Sequence, residues 1–257
     1  MLFVGVDLAW SPKNGTGVAI LEGDNRRSRL SSRRVLFSDK EIMDYIKDGV
    51  GGRHAVIAID APLIVPNRTG RRVAEEVVGN LFRKYDAGAH PANRQRLSQW
   101  SGKIRGEEIA KLLTKEGFEH NPYLKRSKNT RAFFEVYPHP SMVVLFGLDR
   151  ILRYKAKPKR DYEFRWNEFE RYHSHLKKLR SADPAMDLPS DLLSIDLRSL
   201  KGNALKSHED TLDAVFSAYI AQYAWVHPDH CAVLGDMKKG YILTPILPEM
   251  RKILPKN

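Results

Sequence analysis

A chain of 257 residues with 42% hydrophobic content can bury a real core, which excludes a disordered protein. Its single cysteine, Cys231, excludes an internal disulfide and any multi-cysteine metal site, and is expected to be a small half-buried filler. The formal charge of +12 excludes less than its location implies: residues 61–130 hold fourteen Lys/Arg against seven Asp/Glu, residues 150–180 eleven against four, and the rest is close to neutral.

In chain order, residues 2–9 read as a strand, and a turn over 11–15, rich in Pro, Asn and Gly, leads into a second strand over 15–23. A third strand at 33–37 precedes a helix over 38–49, where Ser38 is the N-cap, Glu41 stands three residues on, and Gly49 is the stop. The continuous apolar run 55–61 has the character of a central strand covered on both faces. From 62 to 130 the chain turns polar and basic, with helical stretches near 71–85 and 105–117, and reads as an inserted basic subdomain within a single domain of 1–257. A core strand returns at 131–138, followed by a short helix over 140–147, a helix over 163–181, the strongest helix over 207–226, and a hairpin of 231–236 with 240–245. Asp7 interrupts the first apolar run before it could serve as a signal peptide, and the apolar stretch 212–226 is too short to span a bilayer, so a soluble, cytoplasmic protein is expected.

The acidic residues carry the functional signal. Asp7 and Asp60 each end a predicted hydrophobic strand, where open α/β sheets place their ligands. A carboxylate there needs a backbone donor, an arginine or a cation, and a turn-capping role would satisfy each one singly. Asp210 and Asp213 are three apart and project from one helix face; Asp210 can close a capping box with Ser207, but Asp213 lies among Leu212, Ala214, Val215 and Phe216 without such an explanation. Glu135 sits inside the apolar strand 131–138, where an arginine partner is the plain alternative. Clustered hard oxygens suit Mg²⁺ or Mn²⁺ better than zinc. His139 and His208 complete the set, with His208, beside the acidic pair, the better candidate for proton transfer to a leaving oxygen.

Three strands, a helix and a fourth strand, with Asp7 in the first and a late helix reading Asp-x-x-Asp-Ala, resemble the ribonuclease H-like fold and, within it, the RuvC-type resolvases. The segments GVDLAW, IAIDAPL, FFEVYPHPS, HEDTLDAVFSAY and GDMKKGYILTP resemble, more narrowly, a prokaryotic family of predicted RNase H-like nucleases, domain of unknown function 429. The resemblance implies an α/β fold with a mixed five-stranded sheet flanked by helices, a basic, largely helical insertion after the fourth strand, and Asp7, Asp60, Asp210 and Asp213 around one or two Mg²⁺ or Mn²⁺ ions. RuvC-type resolvases carry Glu at the position of Asp60, and Glu135 has no sure counterpart in them.

The expected activity is metal-dependent hydrolysis of phosphodiester bonds in DNA or RNA, with Asp7, Asp60, Glu135, Asp210, Asp213 and His208 as catalytic candidates. Arg68, Arg71, Arg72, Arg94, Arg96 and Arg105 would hold the nucleic-acid backbone through the basic excess, which a solvated face would otherwise explain. Trp100, Tyr123 and Trp166 could stack on unpaired bases, or pack within the protein. Two other classes remain open. A sugar-kinase- or actin-like phosphotransferase would need Gly and Ser/Thr after its first aspartate, where this chain has Leu8, Ala9 and Trp10. A non-catalytic nucleic-acid-binding module would have to tolerate carboxylates facing phosphates.

Overall fold

The computed structural model describes residues 1–100 and 102–254, the side chain of Trp100 excepted, so the expected stacking role of Trp100 lies outside the described residues. Strands β1 (Leu2–Asp7), β2 (Thr16–Gly23) and β3 (Arg27–Leu36) form an antiparallel meander. β3 begins six residues before the predicted strand, because its alternating polar residues, half-exposed on one face, do not read as a strand in sequence. Helix α1 (Asp39–Val50) opens with the expected capping box and is stopped at Gly51, at φ 55°, with Gly49 inside its last turn.

β4 (Ala55–Ile59) returns parallel to β1. The basic segment then forms α2 (Val73–Phe82), the single turn α3 (Arg94–Leu97), α4 (Arg105–Lys115) and the two-residue β5 (Glu119–His120). Strand β6 (Arg131–Glu135) is followed by α5 (Pro138–Phe146), α6 (Tyr162–Lys178), β7 (Ala185–Asp187) and the single turn α7 (Ser190–Leu193). The chain ends its described course with α8 (Gly202–Val226), the hairpin β8 (Cys231–Asp236) and β9 (Gly240–Pro245), and α9 (Pro248–Arg251).

The main sheet has seven strands in the order β5-β6-β4-β1-β2-β3-β7, where five were expected, and is mostly parallel. The two additions, β5 beside β6 and β7 beside β3, are two and three residues long and pair only at the edges. So short a pairing is set by tertiary contact and leaves no periodic pattern in the sequence.

Alternation along the central strands sorts the core. Phe3, Val56, Ala58 and Phe134 face α5, α6 and α8, while Val4, Val6, Ile57 and Ile59 face α1 and α4. The basic segment is therefore helical, as expected, and also supplies one of the two helices on the second face. Its α2 packs instead on the β8–β9 hairpin, through Val78, Phe82, Leu234 and Ile242.

Helix α8 starts five residues earlier than the sequence indicates, with Lys201 as its N-cap residue. Ser207 is thus inside the helix and caps nothing, which removes the capping-box explanation for Asp210. The helix lies directly on the first two strands because two glycines let it. A Cβ on Gly5 would overlap the Ala214 carbonyl, and one on Gly17 the Asp210 carbonyl. That approach brings the acidic stripe of α8 to the end of β1.

Candidate active site

Asp7 is the last residue of β1, and Asp60 directly follows β4, its N–H donating to the Val6 carbonyl oxygen at 2.8 Å. Because β1 and β4 pair in parallel, with Val6 opposite Ile59, the two aspartates leave the sheet side by side. Asp210 and Asp213 reach them from α8, three residues and about one turn apart. Asp7 and Asp60 keep some contact with solvent, whereas Asp210 and Asp213 are 2% and 0% exposed. The sequence therefore named four carboxylates that the fold does bring together.

Two lysines stand among them. The Lys155 Nζ is 2.8 Å from Asp213 Oδ2, and the Lys206 ammonium bridges Asp210 and Glu209, the latter at 2.9 Å. Lys155 comes from the loop between α5 and α6, which is pinned from both sides: Arg165 Nε donates to the Tyr154 carbonyl at 2.8 Å, and Arg160 Nη1 donates to the Lys155 carbonyl at 3.1 Å. Tyr154 itself is buried against Phe169 and Tyr172. Its hydroxyl donates to Asp213 Oδ1 at 2.6 Å, and the Tyr172 hydroxyl reaches the same oxygen at 3.3 Å. One oxygen of Asp213 is fixed by two phenols, while the other is buried and paired with the Lys155 ammonium.

The electrostatics follow from this crowding. Burial drives the Asp7 carboxyl well above the ordinary range, with Asp213, Asp60 and Asp210 adding to the rise and Lys155 opposing it. Asp60 is likewise pushed up by burial, to about 7, again against the pull of Lys155. Burial also raises Asp210 despite Lys206. Asp213 alone goes down, because Lys155 and the phenol outweigh the burial that acts against its charge. Ionising these carboxylates together is costly, and Lys155 and Lys206 offset part of that cost.

The residues fit a divalent cation in donor type, all hard oxygens. They do not fit it in spacing. Among the described residues no three His, Cys, Asp or Glu side chains stand close enough together to hold a metal ion. Lys155 is the cation that the cluster holds instead.

Other expected site residues are committed to the fold. Glu135 stands opposite Ile59 and its charge helps to raise Asp60, but it is 2% exposed and is engaged by Arg72, whose Nη1 and Nη2 meet its two oxygens at 2.9 and 2.5 Å, while the Leu63 N–H donates to it at 2.9 Å. Arg72 also pairs with buried Glu75, so this arginine ties β6 to α2 and cannot contact a nucleic acid. Arg105 is 5% exposed and joins Asp39 to the Ala9 carbonyl and the Thr16 hydroxyl, another structural clamp. His208 is two residues before Asp210 and so turned about 200° from it on the helix; its Nε2 meets the Nε2 of His173 at 2.8 Å, and a proton relay to the carboxylates is not what this ring is placed for.

His139, the weaker histidine candidate, is the nearer one: Lys155 and Asp213 both act on its charge, burial pushes it down to about 3, and its buried Nδ1 has no hydrogen-bond partner. Arg68 and Arg71 are exposed, Arg94 pairs with Glu107 at 3.1 Å, and Arg96 lies 5.3 Å over the ring of Trp10. Trp166 is packed on Tyr162 with its Nε1 bonded to the Leu200 carbonyl, whereas Tyr123 is exposed. Sequence reasoning missed Lys155, Tyr154, Tyr172 and Lys206; Lys206, four residues before Asp210 on the helix, was the one with a local signal.

Among the described residues, no helix is long and apolar enough to cross a membrane. No curated protein matches the chain in sequence. A family profile described as "Protein of unknown function (DUF429)" matches residues 5–239, a span that contains all four clustered aspartates and both lysines. The chain belongs to the DUF429 family.

Proposed function

We infer that the aspartate cluster is the centre of a cation-dependent phosphodiesterase acting on nucleic acid, built on a ribonuclease H-like scaffold. One observation carries the reading: four carboxylates from the ends of β1 and β4 and from α8 converge at the open end of the sheet, where ionising them together is costly. The resemblance of the meander, the fourth strand and the late acidic helix to RuvC-type enzymes agrees with it.

In this reading Asp7, Asp60 and Asp213 would hold the ion, drawing closer together than they stand here, and Asp210 would flank it under the restraint of Lys206. Bound there, Mg²⁺ or Mn²⁺ would acidify an attacking water and stabilise the leaving oxygen. Tyr154 and Tyr172 orient Asp213 by fixing Oδ1, which aims Oδ2 into the cluster. Exposed Arg68, Arg71 and Arg96 are the candidates left to meet the phosphate backbone.

The test is cleavage of a panel of labelled single-stranded, double-stranded and branched DNA and RNA with Mg²⁺ or Mn²⁺, comparing the parent with Asp7→Asn and Asp213→Asn. Cutting that disappears in both variants while binding survives supports the assignment; cutting that persists in both refutes it. The internal lysines favour a second reading, a nucleic-acid-binding module whose acids are neutralised within the protein. Binding by all three proteins with cleavage by none would establish that reading instead.

A further inference from the structure

The β8–β9 hairpin leaves one strand edge open. On its far side β9 is bridged to the end of β6, Leu243 to Val136, whereas β8 has no strand beyond it among the described residues. The ladder between the two strands fixes where each backbone group of β8 points. The Ile246 N–H donates to the His230 carbonyl at 3.0 Å, so the bonded pairs continue through Ala232 with Thr244 and Leu234 with Ile242. Pro245, which has no N–H, stands opposite Cys231, where none is needed. Val233 and Gly235 therefore turn both N–H and carbonyl away from β9; Cys231 turns its carbonyl away, while its N–H donates to the Pro228 carbonyl. Among the described residues these outward groups of Val233 and Gly235 meet no hydrogen-bond partner. Edge strands are ordinarily blunted by a lysine, a proline or an inward charge, and from Cys231 to Gly235 this one carries none.

The edge is the floor of a groove of about 620 Å³. Val73 and Val77 of α2 wall it on the side of Ala232 and Leu234, and Tyr123 and Leu124 on the side of Cys231 and Val233. Val73 and Tyr123 are 48% and 53% exposed, so both walls offer apolar surface to a ligand. Two walls leave room for one strand and exclude the β8 of a second copy, which carries the same walls. The groove is also charged at its ends. Arg251 lines it near Cys231 and has no ion-pair partner among the described residues, while Asp236, held ionised by the amides of Lys238 and Lys239, lies at the other end.

We propose that this groove binds an extended segment of a partner protein, which adds to β8 as an antiparallel strand, with a basic residue at its start against Asp236 and a carboxylate at its end against Arg251. An antiparallel strand runs from the Asp236 end of β8 to the Cys231 end, so the two charges select that order. The segment's backbone satisfies Val233 and Gly235, and its alternate apolar side chains lie on Val73 and Val77 or on Tyr123 and Leu124. None of the clustered aspartates takes part, so the proposal stands apart from their chemistry.

The probes are three acetylated heptapeptide amides that begin with Lys, end with Glu, and between them alternate Thr with Val, Leu or Phe. Titrated into the full chain, at least one is expected to bind saturably. By NMR hydrogen exchange it should slow the Val233 and Gly235 amides at least tenfold, and the Ala232 and Leu234 amides, already in the ladder, less than twofold. The same peptide with its Lys and Glu exchanged is expected to bind at least tenfold more weakly, and Arg251→Glu to lose at least fivefold in affinity for the original. Saturable binding of none of the three overturns the proposal, as does binding that leaves Val233 and Gly235 unchanged or ignores the order of the charges. Slow exchange at both amides before any peptide is added also overturns it. Sedimentation velocity would then assign the edge to a second copy if the protein is a dimer, and to the chain's own last residues if it is a monomer. The exchange arm uses the parent alone, so it decides the matter whether or not the variant folds.

Discussion

Replacing Asp60 by asparagine should change how stability depends on pH, in a direction fixed by the site. Asp60 titrates near 3.8 when unperturbed, and in the folded protein burial lifts it to about 7. A carboxyl whose folded pKa is raised stabilises the fold while it is protonated, and that contribution is lost as pH rises from the unfolded to the folded value. Integrated over pH 5 to 8, a shift of this size takes about 2–3 kcal/mol from the parent, near 1.4 kcal/mol per pH unit in the steepest part. An asparagine side chain cannot ionise, so the variant loses nothing by this route. The assay is urea unfolding at half-unit pH steps in the presence of EDTA, which removes adventitious cations. Subtracting the two profiles cancels the buried histidines, which titrate in overlapping ranges with opposite sign. Asp60→Asn should therefore gain on the parent by about 2–3 kcal/mol between pH 5 and 8, and saturating Mn²⁺ should return most of the loss to the parent alone. Parallel profiles, differing by less than about 0.5 kcal/mol over that window, would mean that Asp60 is solvated and the cluster is not a place of stored repulsion.

Three more outcomes follow from the packing. Arg72→Leu leaves Glu75 and Glu135 buried without their partner, and should cost about 3–5 kcal/mol in denaturant unfolding, measured with a full baseline at each end. Gly17→Ala drives a methyl into the Asp210 carbonyl and should either abolish folding or lower the melting temperature by more than about 8 °C in differential scanning fluorimetry, since overpacking against backbone cannot relax by a rotamer change. His173 and His208 are held neutral by burial, each pushed down to about 4, so acidification from about 6.5 toward 4 costs the parent stability, and His208→Leu should show a visibly flatter acid limb by circular dichroism.

The central sheet could be read in the sequence because β1, β2 and β4 are runs that no other element explains, and the capping box at Ser38 and Glu41 marks a helix start through local chemistry alone. What could not be read was set by distant contacts. β5 and β7 have too few residues for a period, and each exists because β6 or β3 offers it an edge. The start of α8 was obscured by a plausible false signal: Ser207 with Asp210 has the spacing of a cap, but Leu205 is fully buried and belongs to the helix, so the true first turn lies upstream in a polar run. Burial also reversed the meaning of two arginines. In sequence Arg72 and Arg105 are indistinguishable from Arg71 and Arg68, and only the buried Glu75, Glu135 and the clamp around Asp39 show which of them the fold uses.

The candidate site was half legible for a related reason. Carboxylates at strand ends and on an apolar helix are improbable enough to stand out, because leaving one unpaired in a core costs several kcal/mol. The groups that make them tolerable are ordinary residues in ordinary contexts. Tyr154 and Lys155 lie in a basic loop that reads as a surface feature, and nothing after them in sequence is acidic before Asp161. Their role arises only when Arg165 and Arg160 draw the loop against α8. The same logic separates the two ion pairs that the sequence could not tell apart. Glu135 was an acid in a strand and proved to be half of a buried strut; Asp213 was an acid in a helix and proved to be held by phenols on one side and by the partly exposed Lys155 on the other. A carboxylate whose partner is locked in the core serves the fold, while one whose partner reaches solvent can be reached by a ligand, and on that distinction the proposed catalytic role falls to Asp213 and its neighbours and not to Glu135.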